Sequence, residues 1–155
     1  MNKDYEATGN CYTIGHVVQF TGLTDRTIRS YISMGILKGE KINGLWHFTP
    51  EQVEDFVRHP AVRPSIQAKN NAIVYDFLMD DRKREREICM IYDLPGDDAK
   101  KTAEFFSRDI PKAELHDFRF RFDSVGGVPR VILKGRVSEV MEMIARYEEW
   151  MGRKN

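Results

Sequence analysis

Four polar residues in one short segment carry the clearest chemistry of this chain: Arg26, Thr27, Arg29 and Ser30. Guanidinium and hydroxyl groups donate hydrogen bonds, and they suit phosphate oxygens and the edges of nucleic-acid bases. The same segment places Ile28, Tyr31 and Ile32 at helical spacing, which predicts an apolar stripe on the opposite side. We therefore expect a helix that buries its isoleucines and offers donors along its outward face.

Two short helices must position these donors. Thr13 can cap the first helix and Thr24 the second, because a threonine hydroxyl accepts from the exposed N–H groups of a first turn. The helices meet at Thr21-Gly22-Leu23, and Gly35 suits the positive φ angle with which many helices end. The pattern predicts a helix, a tight turn and a second helix.

A hairpin and a third helix are expected next. Asn43-Gly44 readily supplies the two positive φ angles of a tight hairpin turn. Thr49 can cap the third helix, Pro50 suits its first position, and His59-Pro60 ends it.

This order resembles the MerR superfamily of winged helix-turn-helix DNA-binding domains, in particular its excisionase-like branch. The resemblance covers residues 12–59. It is carried by Tyr12-Thr13-Ile14-Gly15, Thr21-Gly22-Leu23-Thr24, Thr27-Ile28-Arg29, Tyr31, Gly35-Ile36-Leu37 and Phe48-Thr49-Pro50-Glu51-Gln52-Val53. It implies that the second helix enters the major groove, that Arg29 and Tyr31 lie near the DNA backbone, and that the hairpin acts as a wing.

The expected DNA contacts follow from the resemblance and from the polar residues of the helix and hairpin. They are Thr24, Asp25, Arg26, Thr27, Arg29, Ser30, Tyr31, Lys38, Lys41, Asn43, Trp46 and His47. Two positions depart from the family pattern: Lys38-Gly39 stands where a proline is usual, and Trp46 where an arginine is usual. No metal-sensing cysteines follow, so the sensing subclass is not supported.

Charge sets a limit on how tightly such a protein would bind. The formal net charge is +0 at pH 7, whereas affinity for DNA depends on neutralising phosphates. Arg26, Arg29, Lys38 and Lys41 nevertheless cluster in the second helix and the hairpin. Because one such cluster would bind weakly, we expect two chains per DNA site and hence a homodimer.

Composition and motifs argue against several other classes. With 41% hydrophobic and 31% charged residues, the chain resembles a soluble folded protein, and it has no apolar run long enough to span a membrane. Its N-terminus lacks the order of a signal peptide, so we expect a cytoplasmic protein. The scattered histidines and the distant Cys11 and Cys89 match no metal-site spacing. We expect no metal, no cofactor and no enzymatic activity.

The rest of the chain predicts a small second domain. We expect a tail at residues 1–11, a DNA-binding domain at 12–60, a linker and connecting helix at 61–86, and the second domain at 87–151. Apolar spacing predicts the connecting helix from Ser65 to about Arg84, after a boundary made by Pro60 and Pro64. Strand, helix, strand, strand and helix then follow, which makes the fold class α+β with a three-stranded sheet. The first of these strands, Glu87-Ile88-Cys89-Met90-Ile91-Tyr92, is expected to be buried. This topology is similar to gyrase-inhibitor-like modules, and a split ferredoxin-like sheet fits nearly as well.

Two faces are expected on that sheet. Phe118, Phe120 and Phe122 alternate with charged residues, and a core role is favoured over a platform that stacks bases. Arg119 and Arg121 fall on the reverse face with Arg130 or Lys134, where like charges cost energy unless an anion or acidic partner lies opposite. Pro129 suits an edge strand. This domain could serve dimerisation, or bind a small molecule or a protein.

The sequence thus predicts a bacterial-type transcriptional regulator that binds double-stranded DNA. Two alternatives stay open. One is an excisionase-like factor that bends DNA without responding to a ligand, and the other is a protein-interaction adaptor built on the same scaffold.

Overall fold

The computed structural model describes residues 11–109 and 117–153, and within them it is an α+β protein. The tail predicted for residues 1–11 lies, apart from Cys11, outside the described residues. We call residues 12–59 the head and residues 87–153 the sheet half. In the whole described part, no helix is long and apolar enough to cross a membrane.

The head consists of three helices and a hairpin. Its elements are α1 (Ile14–Thr21), α2 (Asp25–Ser33), β1 (Glu40–Ile42), β2 (Leu45–His47) and α3 (Pro50–Arg58). Thr13, Thr24 and Thr49 cap the three helices through their side chains, as predicted. Asn43 and Gly44 take φ angles of 51° and 80°, so the predicted hairpin turn is confirmed.

The connecting helix α4 runs from Arg63–Met79, which corrects both predicted ends. Pro64 lies in its first turn, where a missing N–H costs nothing, so the prolines do not separate the helix from the head as expected. The charged run that follows is not helical, because the chain leaves the helix at Asp80. There the Lys83 ammonium donates to the backbone oxygens of Phe77 and Asp80, at 2.5 and 2.8 Å.

The sheet half follows the predicted order. It comprises β3 (Glu87–Asp93), α5 (Ala99–Asp109), β4 (Arg119–Val125), β5 (Val128–Arg136) and α6 (Val137–Trp150). The sheet is antiparallel with the order β3-β5-β4, and Gly126 and Gly127, both at positive φ, join β4 to β5.

Two expectations about these strands are wrong. β3 was expected to be buried, but it is an edge strand and its Ile91 is 54% exposed. Pro129 lies on the central strand β5 rather than on an edge. It is tolerated because it lies at the end of the β3–β5 ladder. The backbone N–H of Leu94 still donates to the Pro129 oxygen at 2.9 Å, and the reciprocal bond that Pro129 cannot make would come after Asp93, the last paired residue of β3.

One hydrophobic core joins the head to the sheet half. Phe120 and Phe122 are buried, which confirms the predicted core face of β4. Phe20 of α1 packs on both rings, with centroid distances of 6.1 and 5.7 Å. Phe106 of α5 stacks on Phe120 from the other side at 5.2 Å. The head therefore packs directly against the sheet.

Candidate nucleic-acid interface

The N-terminus of α2 is held by its own threonines. The Thr24 hydroxyl accepts from the backbone N–H of Thr27 at 3.2 Å and also bonds the Thr27 hydroxyl at 2.9 Å. Ile28 is completely buried beneath the helix. Because the cap and the buried anchor fix both the start and the rotation of α2, the direction of its remaining side chains is well determined.

The exposed polar side chains of α2 include Arg26, Arg29 and Ser30, together with Asp25 and Ser33. The Arg29 Nε donates to a carboxylate oxygen of Asp25 at 2.6 Å, and both side chains are about 60% exposed. This bond orients the guanidinium and leaves its two terminal nitrogens facing solvent. Arg26 makes no ion pair in the described part of the chain. Both arginines can therefore reach an anion outside the protein.

The hairpin adds two exposed cations, Lys38 and Lys41. The Lys41 ammonium lies 5.9 Å from the centre of the Trp46 ring, and that ring stacks on Phe48 with an interplanar angle of 6°. Trp46 is half-buried, so it supports the hairpin and holds Lys41 instead of projecting outward. Asn43 at the tip is exposed.

Two predicted contact residues face inward instead. His47 is 2% exposed, and neither ring nitrogen has a hydrogen-bond partner among the described residues. It was expected at the interface as a polar residue of the hairpin, but its side chain lies on the buried face of β2. Tyr31 is half-buried, with its ring edge-on to Phe56 at 5.4 Å. His47 is therefore removed from the candidate interface, and Tyr31 contributes packing.

Gly39, before the hairpin, has a structural reason. A Cβ atom at Gly39 would collide with the ring of Phe48. The chain enters the hairpin over that ring, so only glycine fits there.

The structure brings one further arginine to the head that the sequence had assigned to the sheet. Gly22, at φ 75°, forms the turn between α1 and α2, and a Cβ there would collide with the guanidinium of Arg121. Arg121 belongs to β4, which is an edge strand of the sheet. Its side chain can therefore pass around the edge of the sheet and reach the turn between α1 and α2. Burial, together with the nearby charge of Arg119, lowers the pKa of Arg121. No pattern in the sequence reveals this contact, because it spans the two halves of the chain.

The arrangement offers charge and hydrogen-bond donors. In residues 11–109 and 117–153, no group of three or more histidine, cysteine or acidic side chains could hold a metal ion. Comparison with protein-family models, with curated proteins and with solved structures finds no match to this chain.

Proposed function

We propose that this chain is a sequence-specific DNA-binding regulator of transcription. In this proposal the head is a winged helix-turn-helix domain: α2 enters the major groove and the β1–β2 hairpin lies on the backbone as a wing. The observation that carries the proposal is the two-sided character of α2. Ile28 is fully buried while Arg26, Arg29 and Ser30 are exposed on the same short helix.

The two arginines of α2 have different geometries and, in this proposal, different roles. Arg29 is oriented by Asp25 and presents its terminal nitrogens, an arrangement suited to a phosphate. Arg26 lies near the start of α2 without such a restraint, so it can adapt to a base edge in the groove. Lys38 and Lys41 add sequence-independent attraction from the hairpin.

A homodimer completes the proposal. Around α2 and the hairpin the four cations outnumber the carboxylates Asp25 and Glu40 only modestly, so a single head would bind DNA weakly. Outside the head, the C-terminal end of α4 leaves Tyr75, Leu78 and Met79 more than 60% exposed. We propose this apolar surface as the contact between two copies.

Duplex selection followed by gel-shift titration tests the proposal. We expect Arg26→Ala to relax sequence preference at one base pair, at a cost of about 1–3 kcal/mol. We expect Arg29→Ala to weaken binding to all duplexes, and to reduce the slope of log affinity against log salt by about 0.9. Sedimentation of the complex measures the number of chains on each site.

Arg146→Ala is the matched control. Like Arg29, Arg146 is exposed and paired with a carboxylate four residues away on its own helix, at 3.0 Å. The substitution removes the same charge from a helix far along the chain from α2. We therefore expect the slope of log affinity against log salt to stay unchanged. No enriched duplex, or equal losses for Arg29→Ala and Arg146→Ala, would contradict the proposal.

The second candidate function is docking onto another protein. Met34 and Leu45 are 59% and 46% exposed and lie on the head, at the end of α2 and on the hairpin. Apolar side chains of this size are typical of protein interfaces. The absence of both a preferred duplex and salt-dependent retention on DNA would favour this adaptor function.

A further inference from the structure

A basic cleft lies at the end of the sheet where β4 begins. Its volume is about 460 Å³, and it is walled by the segment after α4 and by the ends of all three strands. Its cations are Arg82, Lys83, Arg84, Arg119, Lys134 and Arg136. The volume is that of a small-molecule site, and the walls are dominated by charge.

Half of the cleft's carboxylates are already engaged. Glu85 pairs with Arg136 at 2.5 Å, and Asp80 accepts the backbone N–H of Arg82 at 3.0 Å. Glu87 and Asp117 are the other two carboxylates of the lining. They face a larger number of cations that lack an ion-pair partner.

Those cations are Arg82, Arg84, Arg119 and Lys134. None of these four makes an ion pair within residues 11–109 and 117–153. The cleft therefore keeps an excess of positive charge.

Two of these cations face each other directly. Arg119 of β4 and Lys134 of β5 are register partners, and side chains at such positions lie roughly 5 Å apart at Cβ. Like charges directly opposite destabilise a strand pair unless an anion lies between them. By contrast, the register pair Asp123 and Arg130 on the same face has opposite charges, and each of these side chains has its own ion-pair partner, Arg63 and Asp93 respectively.

We propose that this cleft binds clustered phosphate groups, with Arg119 and Lys134 as the principal ligands and Arg82 and Arg84 closing over them. One guanidinium group can bind two phosphate oxygens at once through two N–H donors, and an ammonium group adds a point charge. The bound group would offset the repulsion between Arg119 and Lys134. Clustered phosphates of this kind occur both in phosphorylated small molecules and in a DNA backbone. The cleft also lies close in sequence to the head, because Arg121, two residues from Arg119, contacts the turn before α2.

Titration with inorganic tripolyphosphate, followed by amide NMR shifts of the full chain, tests the site. We expect saturable shifts at Arg119, Lys134 and the segment from Arg82 to Arg84. The double variant Arg119→Gln, Lys134→Gln should weaken this binding by about tenfold or more, since it removes two charge-assisted ligands of the phosphate oxygens.

The double variant Lys69→Gln, Lys101→Gln is the control, because it removes the same charge from two exposed lysines outside the cleft. It should bind tripolyphosphate like the unmodified protein. Absence of saturable binding, or equal weakening in both double variants, would overturn the proposal.

Gel-shift titration of both double variants with duplex DNA distinguishes the two sources of phosphate. Weaker duplex binding in the cleft variant alone assigns the site to the DNA backbone. Equal duplex binding, with loss of tripolyphosphate binding in the cleft variant, assigns it to a free phosphorylated ligand. Both results support the cleft, and neither depends on whether α2 reads sequence.

Discussion

At the scale of single residues, the most consequential group is the buried carboxylate of Asp123, which is 2% exposed. It accepts from an Arg63 terminal nitrogen at 2.5 Å, from the Asn70 amide at 3.2 Å and from the backbone N–H of Ser124 at 2.7 Å. Arg63 also donates to the backbone oxygen of Val57 at 3.2 Å. One charge pair thus ties α3, α4 and β4 together.

Replacing Arg63 by methionine tests the weight of this group. The substitution keeps much of the packing and leaves Asp123 buried without its cation, a change that destabilises proteins by about 3–5 kcal/mol. We expect the free energy of unfolding to fall by an amount near the lower end of this range, because the Arg63 side chain is itself 20% exposed. Urea denaturation followed by far-UV circular dichroism measures the free energy of unfolding.

Arg130→Met is the matched control for this prediction. Arg130 also pairs with a carboxylate on a neighbouring element, Asp93, but both side chains are more than 30% exposed. Exposed pairs contribute about 0–1 kcal/mol. Similar losses in the two variants would show that burial of Asp123 does not set the energy.

At the scale of elements, a polar network fastens β3 and the N-terminal side of α5 to the end of α6. The Tyr92 hydroxyl donates to Glu148 at 2.5 Å, and the Arg153 guanidinium donates to both Glu148 and Asp97. Burial and the bond to Glu148 raise the pKa of Tyr92 to about 12. The hydrogen bond from Arg153 lowers the pKa of Glu148. The network therefore requires a protonated tyrosine beside an ionised carboxylate.

Alkaline pH should loosen this network. The folded-state pKa of Tyr92 lies above its ordinary value of 10.0, so its contribution is complete below pH 10.0 and is lost as pH rises through about 12. In Tyr92→Phe we expect a smaller decline of Tm across that interval. The decline should not vanish, because the pKa of Tyr147 is also raised, chiefly by burial.

Tyr75→Phe serves as the control for the alkaline series, since Tyr75 is 62% exposed on α4. Thermal scans at several pH values give the comparison. A decline that is identical in Tyr92→Phe and the unmodified protein would contradict the role assigned to Tyr92.

Local patterns predicted the elements well where each one depends on nearby residues. The caps at Thr13, Thr24 and Thr49 and both glycine-tipped hairpins involve only neighbours, and the structure has them. Strand order depends on contacts between distant segments, so the central place of Pro129 and the edge place of β3 did not follow from the sequence. The same limit applies to the candidate site: the exposed donors of α2 were predicted, but the inward turn of His47 and the approach of Arg121 were not.

At the scale of the whole molecule, the two halves share one core. Buried residues of α1 and of the sheet belong to a single hydrophobic cluster that includes Val17, Phe20, Phe120, Leu133 and Tyr147. Phe20 is completely buried at the junction. Since neither side of this contact is polar, separating the halves would expose aromatic rings to water.

We therefore expect the halves to unfold together. Trp46 lies in the head and Trp150 in the sheet half, and the chain has only these 2 tryptophans. The variants Trp46→Phe and Trp150→Phe each leave one fluorescent reporter. Their denaturation midpoints should match the midpoint that circular dichroism gives for the same variant. Two separate transitions would contradict a shared core.

Adding Phe20→Ala to each reporter variant sharpens this test. Replacing a buried phenylalanine by alanine lowers the free energy of unfolding by about 3–5 kcal/mol. The fluorescence of both tryptophans should report this loss. A loss seen only by Trp46 would confine Phe20 to the head.

The ring of Phe20, seated between α1 and β4, also limits how this protein can be rearranged by recombination. A fragment that ends after α3 would expose the Phe20 ring, which β4 covers in the full chain. Grafting this fragment onto another protein would therefore create an exposed apolar surface that promotes aggregation. Chimaeras that keep α1 together with β4 and β5 should stay in solution. The natural unit of exchange is therefore larger than the segment that holds the proposed DNA contacts.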